Sequence, residues 1–146
     1  MRFASLALVL SLSLTTAAIP ACRSNAKDAP LIAAPSFPIA DVPIPAGFAM
    51  MKKVSTSKVV PGATRFVDHQ YSGSDDFLPV VKFYQDQMPG QKWTLVEQNQ
   101  GNASVTLHFT KGSEDCVVSV TDGDVFTPTR IRVRIDPMAR NQSSNR

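Results

Sequence analysis

The clearest helical pattern lies between Asp75 and Met88, where apolar residues recur three or four positions apart. These residues would form one stripe of an amphipathic helix: Phe77, Val80, Val81, Tyr84 and Met88. Pro79 is compatible with this helix only if the first turn begins near Phe77, because an N–H in the first turn has no intrahelical partner to lose. Pro89 then ends the pattern.

Alternation of apolar and polar residues predicts strands in much of the remaining chain. They are Thr64–Tyr71, Trp93–Gln98, Ser104–Thr110, Cys116–Thr121 and Thr129–Ile135. Glycine-containing turn clusters separate the last four strands, which should therefore pair in sequence order as an antiparallel meander. Residues Met50–Val60 could add an edge strand, but the stretch Met50-Met51-Lys52-Lys53 leaves this open.

The predicted fold class is α+β, with one amphipathic helix packed on an antiparallel β-sheet meander in the order β-α-β-β-β-β. The apolar stripe of the helix would cover one face of the sheet. Alternation assigns these residues to the covered face: Val105, Leu107, Phe109, Cys116, Val118, Val120, Ile131, Val133 and Ile135. Cys116 is therefore interpreted as a buried side chain. It is not predicted to be a nucleophile, since no His or Lys stands beside it to lower its pKa.

Residues 1–21 have the three-part layout of a secretory signal peptide. Arg2 is followed by an uncharged, mostly apolar run from Phe3 to Leu14 and then by small residues. This run of 12 residues is shorter than the roughly 20 that a membrane span needs. We therefore predict export rather than a permanent transmembrane helix.

Two processing schemes fit the end of the signal peptide. The stretch Ile19-Pro20-Ala21-Cys22 resembles a bacterial lipobox, in which the cysteine is lipidated and becomes the new N-terminus, although Pro20 departs from that pattern. Lipidation of Cys22 would anchor the protein to a membrane. Ordinary cleavage after Ala18 is the alternative, and it would give a soluble secreted protein.

The chain after the signal peptide divides by composition into three parts. Residues 22–40 are rich in Pro and Ala and are predicted to be a linker tether. The globular domain is expected at residues 41–137, and the polar residues 138–146 are expected to form a disordered tail. At the start of the domain, Asp41–Phe48 alternates proline with apolar residues, so we expect it either to cover the domain as an extended segment or to continue the linker.

Composition places the 146-residue chain among ordinary folded proteins. Its formal net charge of +3 suggests a nucleic-acid partner, but residues 41–137 contain ten basic and eleven acidic side chains. The excess positive charge therefore lies outside the domain. Because nucleic-acid binding needs a dense basic surface, no nucleic-acid partner is predicted.

Three arginines, Arg130, Arg132 and Arg134, alternate with apolar residues along the last strand. Alternation puts all three guanidinium groups on one face of the sheet. They are predicted as a possible binding surface for an anionic polymer, a lipid head group or an acidic envelope protein. A solvated outer face whose like charges discourage aggregation is the other interpretation.

No catalytic residue, cofactor or metal site is predicted. The two histidines, His69 and His108, lack the His-x-x-x-His or paired-cysteine spacing of a metal site. A small hydrolase or metal-dependent enzyme that uses these histidines with nearby carboxylates is one alternative function. A small-ligand binder with a pocket between the helix and the sheet, around Trp93 and Tyr84, is another.

Several motifs of the chain look like those of a group of small, uncharacterised bacterial exported proteins and lipoproteins. They are Val42-Pro43-Ile44-Pro45-Ala46-Gly47-Phe48, Arg65-Phe66-Val67-Asp68-His69, Phe83-Tyr84-Gln85-Asp86-Gln87-Met88-Pro89 and Trp93-Thr94-Leu95. The resemblance spans about Asp41 to Ile135 and implies export and a shared fold, with no known catalytic residue. We therefore expect an exported, lipid-anchored, non-enzymatic module of the cell envelope or periplasm that binds or scaffolds a partner.

Overall fold

The computed structural model describes residues 29–60, 65–124 and 126–138. The predicted signal peptide, the lipidation site Cys22 and residues 22–28 of the predicted linker lie outside the described residues, as do residues 139–146 of the predicted tail. Within the described ranges, no helix is both long enough and apolar enough to cross a bilayer.

The described residues form seven strands, one α-helix and a short 3-10 turn. The strands are β1 Ala49–Met50, β2 Thr56–Val59, β3 Arg65–Gly73, β4 Thr94–Gln100, β5 Ser104–Lys111, β6 Glu114–Thr121 and β7 Thr129–Pro137. Helix α1 runs over Phe77–Gln87 and the 3-10 turn over Pro89–Gln91. Because α1 begins at Phe77, Pro79 lies in its first turn, as the sequence requires.

The strands form one antiparallel sheet in the order β1-β3-β7-β6-β5-β4, and β2 also pairs with β3. The predicted fold class, a single helix on a simple meander, is therefore wrong. The last strand, β7, returns to pair with β3 over the register from Val67↔Ile135 to Gly73↔Thr129. Helix α1 connects β3 to β4, the strand at the opposite edge of the sheet. The turn residues between neighbouring strands do not determine which strand such a long connection reaches.

Strands β1 and β2 share one edge of β3. Strand β1 pairs with the stretch at Tyr71, and β2 pairs with the stretch from Arg65 to Asp68. Between them, the Ser55 hydroxyl accepts a 3.0 Å hydrogen bond from the Gln70 N–H and donates one of 2.9 Å to the Met51 carbonyl. The ambiguous stretch Met50–Val60 thus contains the end of β1 and all of β2, and Ser55 forms polar contacts between the two strands.

A hydrophobic core fills the space between α1 and the inner face of the sheet. Alternation along β5, β6 and β7 buries every second residue, which confirms the covered face predicted from the sequence. The largest buried side chains of this core include Trp93, Tyr71, Tyr84, Phe109 and Met88.

The N-terminal segment from Ala29 to Phe48 packs against this core. Ile39, Val42 and Ile44 are buried, and an isolated β-bridge joins Ala33 to Pro45. Burial of Val42 and Ile44 agrees with the extended cover expected for the start of the domain. The contact with the core extends upstream of that start: Ile39 is buried, and Leu31, Ala33 and Phe37 also pack against the core, within the stretch that composition assigns to the linker.

Candidate functional site

The outer face of the sheet, on the side away from α1, carries the three arginines of β7. Residues of β7 alternate between buried and exposed, and Arg130, Arg132 and Arg134 are the exposed members. Alternate residues of a strand lie about 7 Å apart. We call this row of three guanidinium groups the arginine stripe.

Two of the three arginines are held by carboxylates on the same face. Arg132 donates from Nε and Nη2 to the two carboxylate oxygens of Asp68, at 2.8 and 2.6 Å. This bidentate bond holds the pKa of Asp68 below its ordinary value and raises that of Arg132. Arg134 donates one hydrogen bond of 2.7 Å from Nε to Asp136.

The stripe keeps donors that these pairs do not use. A guanidinium has five N–H groups, and no described residue accepts a hydrogen bond from Nη1 of Arg132 or from either terminal nitrogen of Arg134. Arg130 makes no ion pair with any residue in the described ranges. Asp68 and Asp136 therefore orient two guanidinium groups and offset their charges, while the remaining N–H donors stay available to a ligand.

Hydroxyl and amide side chains flank the arginine stripe on both sides. The register places Arg130 between Ser72 of β3 and Thr121 of β6, and Arg132 between Gln70 of β3 and Ser119 of β6. Such side chains donate and accept hydrogen bonds. The centre of the outer face can therefore bind both charged and hydroxylated groups of a ligand.

A groove of about 340 Å³ lies at one end of the arginine stripe. It is lined by Thr56, Ser57, Lys58, Phe66, Val67, Asp68, Arg134 and Asp136. The Phe66 side chain is 41% exposed and offers an apolar ring beside two cations. Sequence reasoning did not select Phe66, because only the register of β2 and β3 brings it beside Lys58 at the end of the stripe.

The two histidines lie on opposite faces of the sheet. His69 is buried on the inner face, with Nδ1 at 3.1 Å from the Tyr71 hydroxyl, and burial lowers its pKa. His108 belongs to the outer face, where Nε2 lies 3.2 Å from Asp115. The two imidazoles therefore cannot share a substrate, and the described residues contain no group of three or more His, Cys, Asp or Glu side chains able to hold a metal ion.

Trp93 and Tyr84, predicted to border a helix–sheet pocket, both lie in the core. Trp93 is 2% exposed and Tyr84 is 0% exposed. The Tyr84 hydroxyl has no hydrogen-bond partner among the described residues, and burial raises its pKa well above the ordinary value. A ligand at this place stays a prediction.

A second charged cluster surrounds Trp93 at the edge of the core. Arg65 donates to both carboxylate oxygens of Asp41 at 2.6 and 2.7 Å, and Lys111 donates to Asp41 at 2.6 Å. Arg65 also donates twice to Glu114, at 2.9 Å each. We call these four charged residues the Asp41 cluster. The Arg65 and Lys111 charges lie 5.9 and 5.4 Å from the Trp93 ring centroid.

The ionisation of Asp41 is set by two opposed effects. Burial favours the neutral acid, but the hydrogen bonds from Arg65 and Lys111 outweigh it and hold the pKa below its ordinary value. Each charged residue of the Asp41 cluster is paired with another member of the cluster. We therefore assign the cluster a structural role, which is to hold the N-terminal segment on the sheet.

Comparison with known families identifies the class of this domain. The START domain-like family model matches residues 53–137, which include β2 to β7 and α1. The chain belongs to the START domain-like family, and its mostly antiparallel sheet with one short helix is consistent with that assignment. No curated protein and no solved structure matches the chain.

Proposed function

We propose that this protein is an exported, non-enzymatic module of the bacterial cell envelope, anchored by a lipid on Cys22, that binds an anionic polymer with its arginine stripe. The single observation that carries the binding proposal is Arg130, which has no ion-pair partner among the described residues, in line with two arginines oriented by Asp68 and Asp136. The signal-peptide layout of residues 1–21 and the lipobox-like stretch before Cys22 support the location.

The spacing of the stripe favours a polymer over a small anion. The three arginines recur at backbone intervals of about 7 Å along β7, so their side chains form a row rather than a pocket. A single small anion could reach only one or two of them, whereas a chain with repeated negative charges engages all three. Each contact adds to the effective concentration of the next one.

The neighbours of the stripe favour a polymer that also carries hydroxyl groups. Ser72, Gln70, Ser119 and Thr121 can exchange hydrogen bonds with such groups. The exposed Phe66 ring at the end of the row offers an apolar surface against which a sugar ring can pack. An acidic polysaccharide combines these features.

Binding to fluorescein-labelled dextran sulfate, with neutral dextran as the matched polymer, tests the proposal by fluorescence anisotropy at two salt concentrations. Dextran sulfate should bind, more weakly as salt rises, and neutral dextran should not. Arg130→Gln should weaken binding by up to about five-fold, as expected for an exposed charge contact. Lys53→Gln, an exposed charge in the turn after β1, is the control; equal losses in the two variants would contradict the proposal.

The anchor is tested separately by the intact mass of the protein from the membrane fraction. A diacylglyceryl or triacyl adduct on a chain beginning at Cys22 is the expected result. An unmodified chain beginning at Ile19 would show cleavage after Ala18 and contradict the anchor without affecting the polymer test.

One observation favours a second candidate function, a small-ligand site between α1 and the sheet. The buried Tyr84 hydroxyl has no partner within the described ranges, and buried polar groups in proteins are rarely left without one. A bound polar ligand would supply that partner. Quenching of Trp93 fluorescence across a ligand panel tests this function, and Tyr84→Phe should abolish the quenching.

A further inference from the structure

An apolar groove of about 450 Å³ runs between the first described residues and α1. Pro30 and Leu31 form one wall, and Leu78, Pro79 and Phe83 form the other. Leu78 is 66% exposed, and Ile32, next to the groove in the chain, is 72% exposed. A large apolar side chain exposed on the wall of an apolar groove indicates a contact surface.

The groove lies close to the proposed lipid attachment point along the chain. Six residues, 23–28, separate Cys22 from Ala29. A fully extended chain spans at most about 3.6 Å per residue, so Ala29 can lie no farther than roughly 25 Å from an acylated Cys22. The groove begins at Ala29 itself.

The segment after Ala29 cannot lengthen this tether while the domain stays folded. The Ala34 N–H donates to the Ile44 carbonyl at 2.8 Å, and the Ala46 N–H donates to the Ile32 carbonyl at 2.9 Å. Burial of Ile39 and Val42 fixes the turn between them. A lipid on Cys22 would therefore keep the end of the groove at Ala29 within roughly 25 Å of the bilayer surface.

We propose that the groove between Pro30–Leu31 and α1 docks on the bilayer that anchors Cys22, with Leu78 inserted at the boundary of head groups and acyl chains. This inference rests on the proposed lipid anchor. A tether of this length gives the groove a high effective concentration at the membrane, so a contact too weak to bind membranes alone becomes populated. Lys82, paired with Asp86 on the groove wall, lies where it can also reach a phosphate of the head groups.

Docking through α1 leaves the arginine stripe available to the polymer. Helix α1 covers the inner face of the sheet, and Arg130, Arg132 and Arg134 extend from the outer face. With α1 against the bilayer, the stripe faces away from the membrane. The two proposed contacts are therefore compatible in one bound orientation.

Depth-dependent fluorescence quenching tests the docking. The full chain carrying Leu78→Cys is purified from membranes, labelled with an environment-sensitive fluorophore and reconstituted into phosphatidylethanolamine and phosphatidylglycerol vesicles with brominated acyl chains. Thr121→Cys, exposed on the outer face, is the matched control. Cys116 is buried and should not compete for the label. Circular dichroism checks that both variants fold.

We expect at least two-fold stronger quenching at position 78 than at position 121. Equal quenching at the two positions, or none at position 78, in a protein whose intact mass shows the acyl adduct would overturn the docking and leave the anchor standing. An intact mass without the adduct would overturn both. A third outcome is energy transfer between labels at position 78 that rises with protein density, without quenching by bromine. It would show that a second copy of the chain, and not the membrane, occupies the groove.

Discussion

The indole N–H of Trp93 donates a 2.9 Å hydrogen bond to the backbone carbonyl of Asp41. The same aspartate receives hydrogen bonds from Arg65 and Lys111 through its carboxylate. One residue thus joins the N-terminal segment to the start of β4, to β3 and to β5. This connection fixes the segment that forms one wall of the groove beside α1.

Replacement of Trp93 by Phe should lower the free energy of unfolding by about 2 to 4 kcal/mol. The smaller ring leaves a cavity, and the Asp41 carbonyl loses its hydrogen-bond donor in a partly buried site. Urea unfolding followed by circular dichroism measures the change. Val96→Ala, at an exposed position of the edge strand β4, should shift the value by no more than about 0.5 kcal/mol.

Asp41 should make the free energy of unfolding fall at acidic pH. Its pKa in the folded protein lies below the ordinary value of 3.8, so the folded state favours the carboxylate more strongly than the unfolded state does. The resulting stabilisation is present above about pH 4 and is lost as the pH falls through the folded pKa. In urea titrations between pH 5 and pH 2, Asp41→Asn should show a shallower loss of stability than the parent. An unchanged slope would show that Asp41 does not contribute.

His69 should also make the free energy of unfolding depend on pH, in a higher pH range than Asp41 does. Burial lowers its pKa below the ordinary 6.5, so the unfolded chain binds the proton first as the pH falls. Its contribution is therefore complete above about pH 6.5 and is lost as the pH falls through the folded pKa. An NMR titration of the imidazole should give a midpoint below 6.5. A midpoint above this value would contradict the burial argument.

Cys116 should resist alkylation in the folded protein. Burial raises the pKa of its thiol to about 12, so little thiolate forms at neutral pH, and the sulfur is closed to reagents. Iodoacetamide at pH 8 followed by peptide mass spectrometry should modify Cys116 only after denaturant is added. Modification of the native protein at the rate of a free thiol would refute the buried position.

The sequence pattern predicted the local elements and the antiparallel pairing of the last four strands, but not where the strand before the helix joins the sheet. The 3.6-residue period of Phe77 to Met88 and the alternation in β5 to β7 are local signals, and α1 and these strands lie where the patterns indicate. The pairing of β3 with β7 joins residues more than 60 positions apart, such as Val67 and Ile135. No turn between them specifies that contact, so the position of β3 beside β7 could not be read from the sequence.

The same limit applies to the candidate site. Alternation along β7 was enough to place the three arginines on one exposed face. The partners that orient them come from β3 and from the end of β7, and the flanking Ser119 comes from β6. Their positions depend on strand register, which side-chain pattern alone leaves undetermined. The Asp41 cluster likewise requires tertiary contacts between distant segments.

Gly73 should be needed for the packing of the N-terminal segment. A methyl group at this position would lie 2.7 Å from Cγ of the Phe48 ring, closer than carbon atoms approach, so the ring must move. Because Phe48 packs against the core, Gly73→Ala should lower the free energy of unfolding by about 1 to 3 kcal/mol, as overpacking does.

Gly90 is the matched position, since a methyl group there has no neighbour within 4 Å and the residue needs no positive φ. Gly90→Ala should leave stability unchanged or raise it by up to about 1 kcal/mol. Similar losses for the two variants would show that backbone entropy or strand geometry, and not the contact with Phe48, sets the requirement at Gly73.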